Sequence, residues 1–242
     1  MAQVINTNVG ALFAGAALNK SANALQTAQQ RLSSGLRINS AKDDATGLGI
    51  ATGYDSQVRG TNIAVRNAND AISKLQTLDG YGAQITENLQ RLHEIFVQTG
   101  DVATTESAAL IAENGRIAGL SAAAGALPAA NVTVDGAGGV RATVSAAIVA
   151  PVGATAAATL TDITAVTASR ATYGAEMAAL GSAVATMQTA SVNFSASFSR
   201  IMDTDYAAES AAMTRNNILQ QAGTAVLAQA NQTPNTVLSL LR

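Results

Sequence analysis

The single histidine of the chain, His93, is followed directly by Glu94 in a stretch with helical spacing. Zinc proteases carry a second histidine four residues after the first, so that both imidazoles reach the metal from one helix face. Val97 occupies that position here, and the chain contains no cysteine. The sequence therefore predicts no metal site, and we expect His93 to be a surface or subunit-contact residue.

Two carboxylate pairs, Asp43 with Asp44 and Asp203 with Asp205, could suggest acid–base catalysis or calcium binding. Paired catalytic carboxylates, however, need a pocket and a set separation. Ser40 precedes Asp43 by three residues, which reads as a capping box at the start of a helix. Helix capping explains the first pair better, and turn formation explains the second. We therefore expect no catalytic residue, no bound cofactor and no enzymatic activity.

The composition of the chain favours thin helices that approach one another closely. Hydrophobic residues make up 48% of the 242 residues, whereas aromatic residues make up only 3%. Alanine has the highest helix propensity, and large rings supply much of the buried area in compact cores. The net charge of −2 gives no electrostatic case for nucleic acid. No apolar run is long enough for a membrane span, and the first residues lack the features of a cleaved signal peptide.

The two ends of the chain share a seven-residue hydrophobic spacing, which is typical of coiled coils. The predicted inner-core seam consists of Leu18, Leu25 and Leu32 near the start and of Leu219, Val226 and Leu240 near the end. Isolated helices are marginal in water, so we expect the two heptad faces to bury each other, within one chain or in an assembly. Pro234 interrupts the last segment and is expected to kink or shorten its helix.

Between these ends, the spacing of apolar residues predicts two further helices. One should begin near Ser40 and extend over up to about 55 residues, or roughly 80 Å. Gly100 and Asp101 mark its expected end, and the next helix should cover about residues 105–124.

The following segment, residues 128–171, differs in character. Residues 131–134 and 140–144 alternate with a period of two around a glycine-rich turn, which predicts a β-hairpin. The alanine- and threonine-rich stretch after Pro151 is ambiguous, and the helical pattern resumes at about Thr172. The sequence therefore predicts the order helix, helix, helix, β-like insert, helix, helix.

Four blocks of this sequence resemble bacterial flagellins. They are residues 5–8, the run QQRLSSGLRINSAKDDATGLGIA at 29–51, the acidic turn with a tyrosine at 203–206, and the run ILQQAGTAVLAQANQTPNTVLSLLR at 218–242. The likeness extends over about residues 1–125 and 175–242, with the blocks at both ends where that family carries them. The combination is far more specific than any single heptad.

The resemblance implies a mainly α fold, a long antiparallel helical bundle or coiled coil with a small β-containing insert. Residues 1–42 and 211–242 would form an inner coiled-coil core that is disordered in the monomer. Residues 43–127 and 172–210 would form an outer layer, and 128–171 an exposed variable insert. Function would be polymerisation with copies of itself into an extracellular filament for swimming. An export chaperone, cap and hook-junction proteins would be partners, with export through the flagellar channel.

A second resemblance concerns host recognition. Residues 90–98 (QRLHEIFVQ) are similar to the family's stretch QRVRELAVQ, with departures at His93 and Phe96. In that likeness Arg91 and Ile95, with Glu113 as the acidic residue on the next helix, would contact toll-like receptor 5. The same residues are expected to hold subunit contacts in the filament.

Two alternative functions compete with the filament subunit. A hook-associated or filament-junction protein would carry similar ends, but the match at both termini favours flagellin. A secreted helical adhesin or receptor ligand belongs to a different class, and the short insert offers little surface for it. Growth of filaments from seeds discriminates among the three.

Overall fold

The computed structural model describes residues 7–125, 132–133, 140–142, 148 and 154–240. Five helices and two short strands lie within these ranges. They are α1 (Val9–Ser34), α2 (Ala45–Thr99), α3 (Thr105–Gly125), β1 (Val132–Thr133), β2 (Val140–Ala142), α4 (Ala156–Met202) and α5 (Tyr206–Leu240). The mainly α fold class is therefore confirmed. The chain divides into a terminal unit, Met1–Gly53 with Ala196–Arg242, and a middle unit, Tyr54–Ser195.

In the terminal unit, α1 and α5 run antiparallel. Asn8, directly before α1, donates a 2.8 Å hydrogen bond from Nδ2 to the carbonyl oxygen of Ala230. Near the other end of α1, Arg31 lies 3.6 Å from the carboxylate of Glu209. Since low numbers on one helix face high numbers on the other, the two ends of the chain meet, as the sequence predicted.

The core of the middle unit lies along α2. Its fully buried α2 residues are Leu75, Leu78, Ile85, Leu89 and Leu92. Ile117 from α3 and Tyr173 and Leu180 from α4 complete the same cluster. Burial raises the pKa of the Tyr173 hydroxyl, with Glu176 adding to the shift. The predicted three-four apolar stripe of the long helix is therefore the stripe that forms this core.

The start of α2 differs from the expectation. The helix begins at Ala45, and its cap is Asp44, whose Oδ1 accepts a 2.8 Å bond from the backbone N–H of Gly47. The Ser40–Asp43 pair instead closes the preceding turn, in which the Ser40 hydroxyl donates to Asp43 at 3.0 Å. That bond is the largest cause lowering the pKa of Asp43, followed by the N–H groups of Asn39 and Ser40.

The end of α2 agrees with the sequence. Gly100 and Asp101 both adopt positive φ, of 64° and 65°, and the N–H of Asp101 bonds back to the carbonyl of Phe96 at 2.9 Å. Such a left-handed ending satisfies a carbonyl in the last turn of the helix. Asn and Asp tolerate this conformation better than most residues.

Helix α4 begins at Ala156, not near Thr172 as the pattern suggested. The Thr155 hydroxyl oxygen accepts from the N–H of Ala158 at 3.2 Å and caps the first turn. The carboxylate of Asp101 accepts from the N–H of Ala156 at 2.8 Å. β-branched residues weaken helix propensity, but these tertiary bonds to orphan N–H groups offset the weakness.

Helix α5 continues through Pro234 to Leu240, so the expectation that the proline would shorten it is wrong. Pro234 has no N–H for the carbonyl of Ala230, four residues earlier. The side chain of Asn8 donates to that carbonyl instead. The proline therefore leaves no unsatisfied acceptor at this point.

The two strands form a short antiparallel pair in which Val132 lies opposite Ala142 and Thr133 opposite Val140. They fall where the sequence predicted a hairpin. The turn at residues 135–139 lies outside the described residues, whereas residues 156–171 of the predicted insert belong to α4. A β-containing insert therefore stays a prediction only for the residues before α4.

Candidate assembly site on the terminal helices

Six large apolar side chains of α1 and α5 are exposed in the terminal unit. They are Val9, Leu12 and Phe13 on α1 and Ile218, Leu219 and Val226 on α5. Phe13 alone is 78% exposed. A shallow groove of about 520 Å³ runs beside the α5 residues and includes Arg215 in its lining. Apolar surface of this extent marks interaction sites, because covering it is favourable by about 25 cal/mol per Å².

The three α5 residues form what we call the exposed stripe: Ile218, Leu219 and Val226. Within one chain, the two predicted heptad faces do not bury each other. Leu219 and Val226 are 49% and 58% exposed, whereas Leu18, Leu25 and Leu32 are half-buried. The side chain of Leu240 lies outside the described residues. The α5 heptad is thus left free for another partner.

A different side of α5 packs on α1. Its half-buried residues recur every three or four positions and are Met213, Asn216, Gln220, Gly223, Leu227 and Ala230. Leu18 Cδ1 comes within 3.2 Å of the position that a Cβ on Gly223 would occupy. Ala14 and Ala28 are the buried residues of α1. Gly223 and Ala230 on α5 and Ala14 and Ala28 on α1 are small residues that let the two helices approach closely.

The segment between α1 and α2 is tied to the segment between α4 and α5. Leu36 pairs with Asp203 in an isolated β-bridge, and the Arg37 guanidinium donates to the carbonyl of Ile201 at 2.8 Å. Gly35 ends α1 with a φ of 73°, and its carbonyl accepts from Thr204 at 2.9 Å. The run Ser33-Ser34-Gly35 is a turn signal that can be read from the sequence and coincides with the end of α1, but no sequence signal points to Arg37.

The acidic turn before α5 has a structural role. Asp205 Oδ1 accepts from the N–H groups of Ala207 and Ala208 at 2.9 and 3.1 Å, so it caps α5. Asp203 Oδ2 accepts from the Ser199 hydroxyl at 2.6 Å. Each carboxylate is therefore engaged where α4 gives way to α5, in the segment for which the sequence predicted a turn.

The charged residues of the receptor resemblance take different partners in the structure. Arg91 donates to Glu106 at 3.0 Å and to Glu94 at 3.1 Å, and these bonds, that to Glu106 first, raise the pKa of its guanidinium. Glu113 pairs instead with Arg116 on its own helix, and this bond lowers the pKa of Glu113.

The third member of that set is Ile95, which is only 5% exposed and therefore belongs to the interior of the middle unit. Arg91 and Glu113 are both accessible, with side chains 54% and 44% exposed. The accessible part of the set is thus its two charged residues.

His93 anchors the start of α4 within the middle unit. Its Nδ1 lies 3.1 Å from the carbonyl oxygen of Ala156, the first residue of α4, and 3.1 Å from the Thr159 hydroxyl oxygen. The Thr159 hydroxyl gives its own hydrogen to the carbonyl of Ala156. Both neighbours of Nδ1 are therefore acceptors, so Nδ1 must carry the hydrogen. The sequence reading, a surface or subunit-contact residue, missed this packing role.

The described ranges contain neither a metal-binding cluster nor a candidate membrane span. Among those residues, no three His, Cys, Asp or Glu side chains lie together as a metal site would need. In the same part of the chain, no helix has the length and hydropathy that crossing a membrane requires.

Comparison with known proteins points to one family. Residues 5–124 match the family model for the bacterial flagellin N-terminal helical region, and residues 157–241 match that for the C-terminal helical region. The chain is 52% identical over 107 residues to a flagellin of Salmonella typhimurium, and 50% identical over 107 residues to the flagellin of Escherichia coli K12. Each match covers 44% of this chain and 22% of the relative. The chain thus matches less than a quarter of the length of these curated relatives.

Proposed function

The chain belongs to the bacterial flagellin family, a family of structural proteins and not enzymes, and from this premise we propose that it polymerises into the flagellar filament that drives swimming. The observation that carries the proposal is the exposed stripe on α5 together with Leu12 and Phe13 on α1. Burying such apolar surface against further copies of the chain supplies the free energy of polymerisation.

The proposed organisation follows the two units. Residues 1–42 and 211–242 form an inner core and residues 43–127 an outer layer. The sequence assigned 172–210 to the same layer and 128–171 to an exposed insert, but α4 begins at Ala156 and buries Val166, so the proposed layer takes in 156–210 and the proposed insert is 128–155. The filament lies outside the cell, and the chain reaches it through the flagellar export channel. Other copies of the chain, an export chaperone, the cap and the hook-junction proteins are the proposed partners.

Seeded growth tests the assembly proposal. Purified full-length protein is mixed with filament seeds, and fibre length is followed by negative-stain microscopy. We expect Leu219→Asp and Val226→Asp to block elongation, because each places an unpaired charge in a surface that must lose water. The matched control is Gln221→Asp, which adds the same charge at an exposed position off the stripe.

Long fibres from the unaltered protein and from Gln221→Asp, without fibres from the stripe variants, support the proposal. If the unaltered protein fails to extend any seed, the assembly function is refuted. If the stripe variants grow normally, the stripe is not the contact. Removing residues 218–242 should also prevent polymerisation, while circular dichroism still reports the helices of the middle unit.

Recognition by toll-like receptor 5 is a second proposal, favoured by the exposed Arg91 with its two carboxylate partners. Receptor-expressing reporter cells are treated with monomer carrying Arg91→Ala or Glu113→Ala. The control is Arg59→Ala, which removes an exposed arginine paired with Asp55 elsewhere on α2. Loss of signal for Arg91→Ala but not Arg59→Ala supports the proposal, and an unaltered response to Arg91→Ala contradicts it.

A further inference from the structure

Asn8 makes two hydrogen bonds that join the start of α1 to the last part of α5. Its Oδ1 accepts from the N–H of Ala11 at 3.0 Å, which caps α1. Its Nδ2 donates to the carbonyl oxygen of Ala230 at 2.8 Å. Exchanging the amide oxygen and nitrogen would set donor against donor at Ala11 and acceptor against acceptor at Ala230. The two bonds together therefore fix the orientation of the amide.

The carbonyl oxygen of Ala230 is available as an acceptor because it lies four residues before Pro234. In a regular helix, the carbonyl of Ala230 would accept from the N–H of residue 234. Pro234 has no N–H, so its position in α5 opens that carbonyl to an outside donor. An amide side chain suits position 8, because it has both an oxygen and an NH₂ group. The oxygen accepts the capping hydrogen bond of α1, and the NH₂ group donates to α5.

From this geometry we propose that Asn8 and Pro234 act together as a register latch for the terminal helices. Heptad-spaced, alanine-rich helices can pair in registers that differ by seven residues with little change in apolar contact. Only one register brings Asn8 to the carbonyl that Pro234 opens. Asn8 is thus a positioning residue that selects the alignment of α1 on α5. For its role in polymerisation, the latch rests on the assembly function proposed above.

Disulfide trapping in the monomer measures this register directly, since the chain has no cysteine of its own. The Cβ of Leu18 lies 3.9 Å from the Cβ position of Gly223, within the range for a disulfide. The variant Leu18→Cys/Gly223→Cys reports the native register. The variant Leu25→Cys/Gly223→Cys reports pairing displaced by one heptad. The ratio of the two initial oxidation rates is the readout.

Asn8→Asp separates the two bonds of the side chain. Aspartate caps a helix as well as asparagine does but cannot donate to Ala230. We expect it to lower the native-to-displaced ratio roughly fivefold, the fold-change that corresponds to about 1 kcal/mol for one hydrogen bond. Asn8→Ser also retains a capping oxygen but lacks the amide. If it lowers the native-to-displaced ratio as much as Asn8→Asp does, the negative charge of the aspartate is not the cause of the loss.

For Pro234→Ala, the latch and helix propensity predict opposite effects on the pairing of α1 with α5. Alanine strengthens α5 as a helix, but its N–H now satisfies the carbonyl of Ala230. The latch predicts that Pro234→Ala lowers the ratio as Asn8→Asp does, and that the double variant falls no further. An unchanged ratio in Asn8→Asp, or additive losses in the double variant, overturns the latch.

Seeded elongation by the cysteine-free variants separates this result from the assembly proposal. Slower elongation of Asn8→Asp beside normal growth of the unaltered protein links the latch to polymerisation. If the unaltered protein grows no fibres while the trapping ratio still falls, the latch holds and the assembly function fails. If the unaltered protein grows fibres while the trapping ratio is the same in all variants, the assembly function holds and the latch fails.

Discussion

At the scale of single residues, Glu113 and Arg116 show how an exposed ion pair sets protonation on α3. The Arg116 hydrogen bond at 2.6 Å lowers the pKa of Glu113 below its usual 4.5. A lowered pKa in the folded chain means that the pair stabilises the fold above the unfolded pKa. This contribution is lost as the pH falls through the folded pKa.

We therefore expect Arg116→Gln to raise the pKa of Glu113 toward 4.5, measured from its carboxyl chemical shift by NMR. The variant should be less stable to urea than the unaltered chain at pH 7 but equally stable once the pH is below the lowered pKa. Arg59→Gln, which breaks a separate pair on α2, should leave the Glu113 titration where it is. A Glu113 titration unaffected by Arg116→Gln would show that the bond is absent in solution.

Burial decides the outcome of a second residue-scale change. Leu89 is 0% exposed and belongs to the core cluster of the middle unit, whereas Ile63 on the same helix is 52% exposed. We expect Leu89→Ala to lower the free energy of unfolding by about 2–5 kcal/mol, because it leaves a cavity. Ile63→Ala should change it by about 0.5 kcal/mol or less. Similar losses in both variants, measured by urea unfolding, would contradict the packing.

At the scale of elements, the beginning of α4 depends on residues from another part of the chain. Asp101 accepts from the first N–H of α4, and His93 bonds to the same turn. Because Asp101 also adopts positive φ, substitutions must separate its backbone role from its carboxylate. Asparagine retains the side-chain oxygen, and glycine retains only the backbone freedom.

We expect Asp101→Gly to speed hydrogen exchange at the amide of Ala156 by about fivefold, the equivalent of about 1 kcal/mol for a lost cap. Asp101→Asn should leave that rate close to its original value. Exchange in the core of α2, at Leu89 for example, serves as the internal reference. Equal rates in both variants would mean that the carboxylate does not hold the start of α4.

At the scale of the whole molecule, the two units differ in how much they bury. The middle unit has a continuous cluster of large side chains, whereas α1 buries only Ala14 and Ala28. The buried cluster of the terminal unit, formed by Ile38, Ala51 and Met202, lies outside α1 and α5. Local stability follows the buried apolar contacts, so opening should cost far less for α1 and α5 than for the middle unit. Low stability of α1 and α5 in the single chain is expected if these helices are stabilised by packing against other copies of the chain.

Hydrogen exchange of the monomer and of the assembled protein should show that difference. In the monomer, we expect the amides of α1 and α5 to exchange rapidly and those around Leu75–Leu92 slowly. In the filament, protection should rise on α1 and α5 because the exposed stripe is covered. Strong protection of α1 and α5 already in the monomer would contradict the coupling of their order to assembly.

The sequence by itself determined that the chain is mainly helical and which family it belongs to. Apolar residues at three-four spacing predicted the core of α2, and Gly100 with Asp101 marked its end, because these signals depend on local periodicity and backbone conformation. The terminal blocks pointed to the family through residue identity alone.

Only the tertiary structure decided which face of α5 meets α1 and where α4 begins. The heptad residues Leu219 and Val226 looked like the seam, but α5 meets α1 through the face that contains Gly223, where the side chain of Leu18 lies against the glycine. Ala156 gains its first bonds from Asp101, and the carbonyl of Ala230 gains its donor from Asn8. These partners are distant along the chain, so no local pattern records them, and their geometry exists only once the helices have packed.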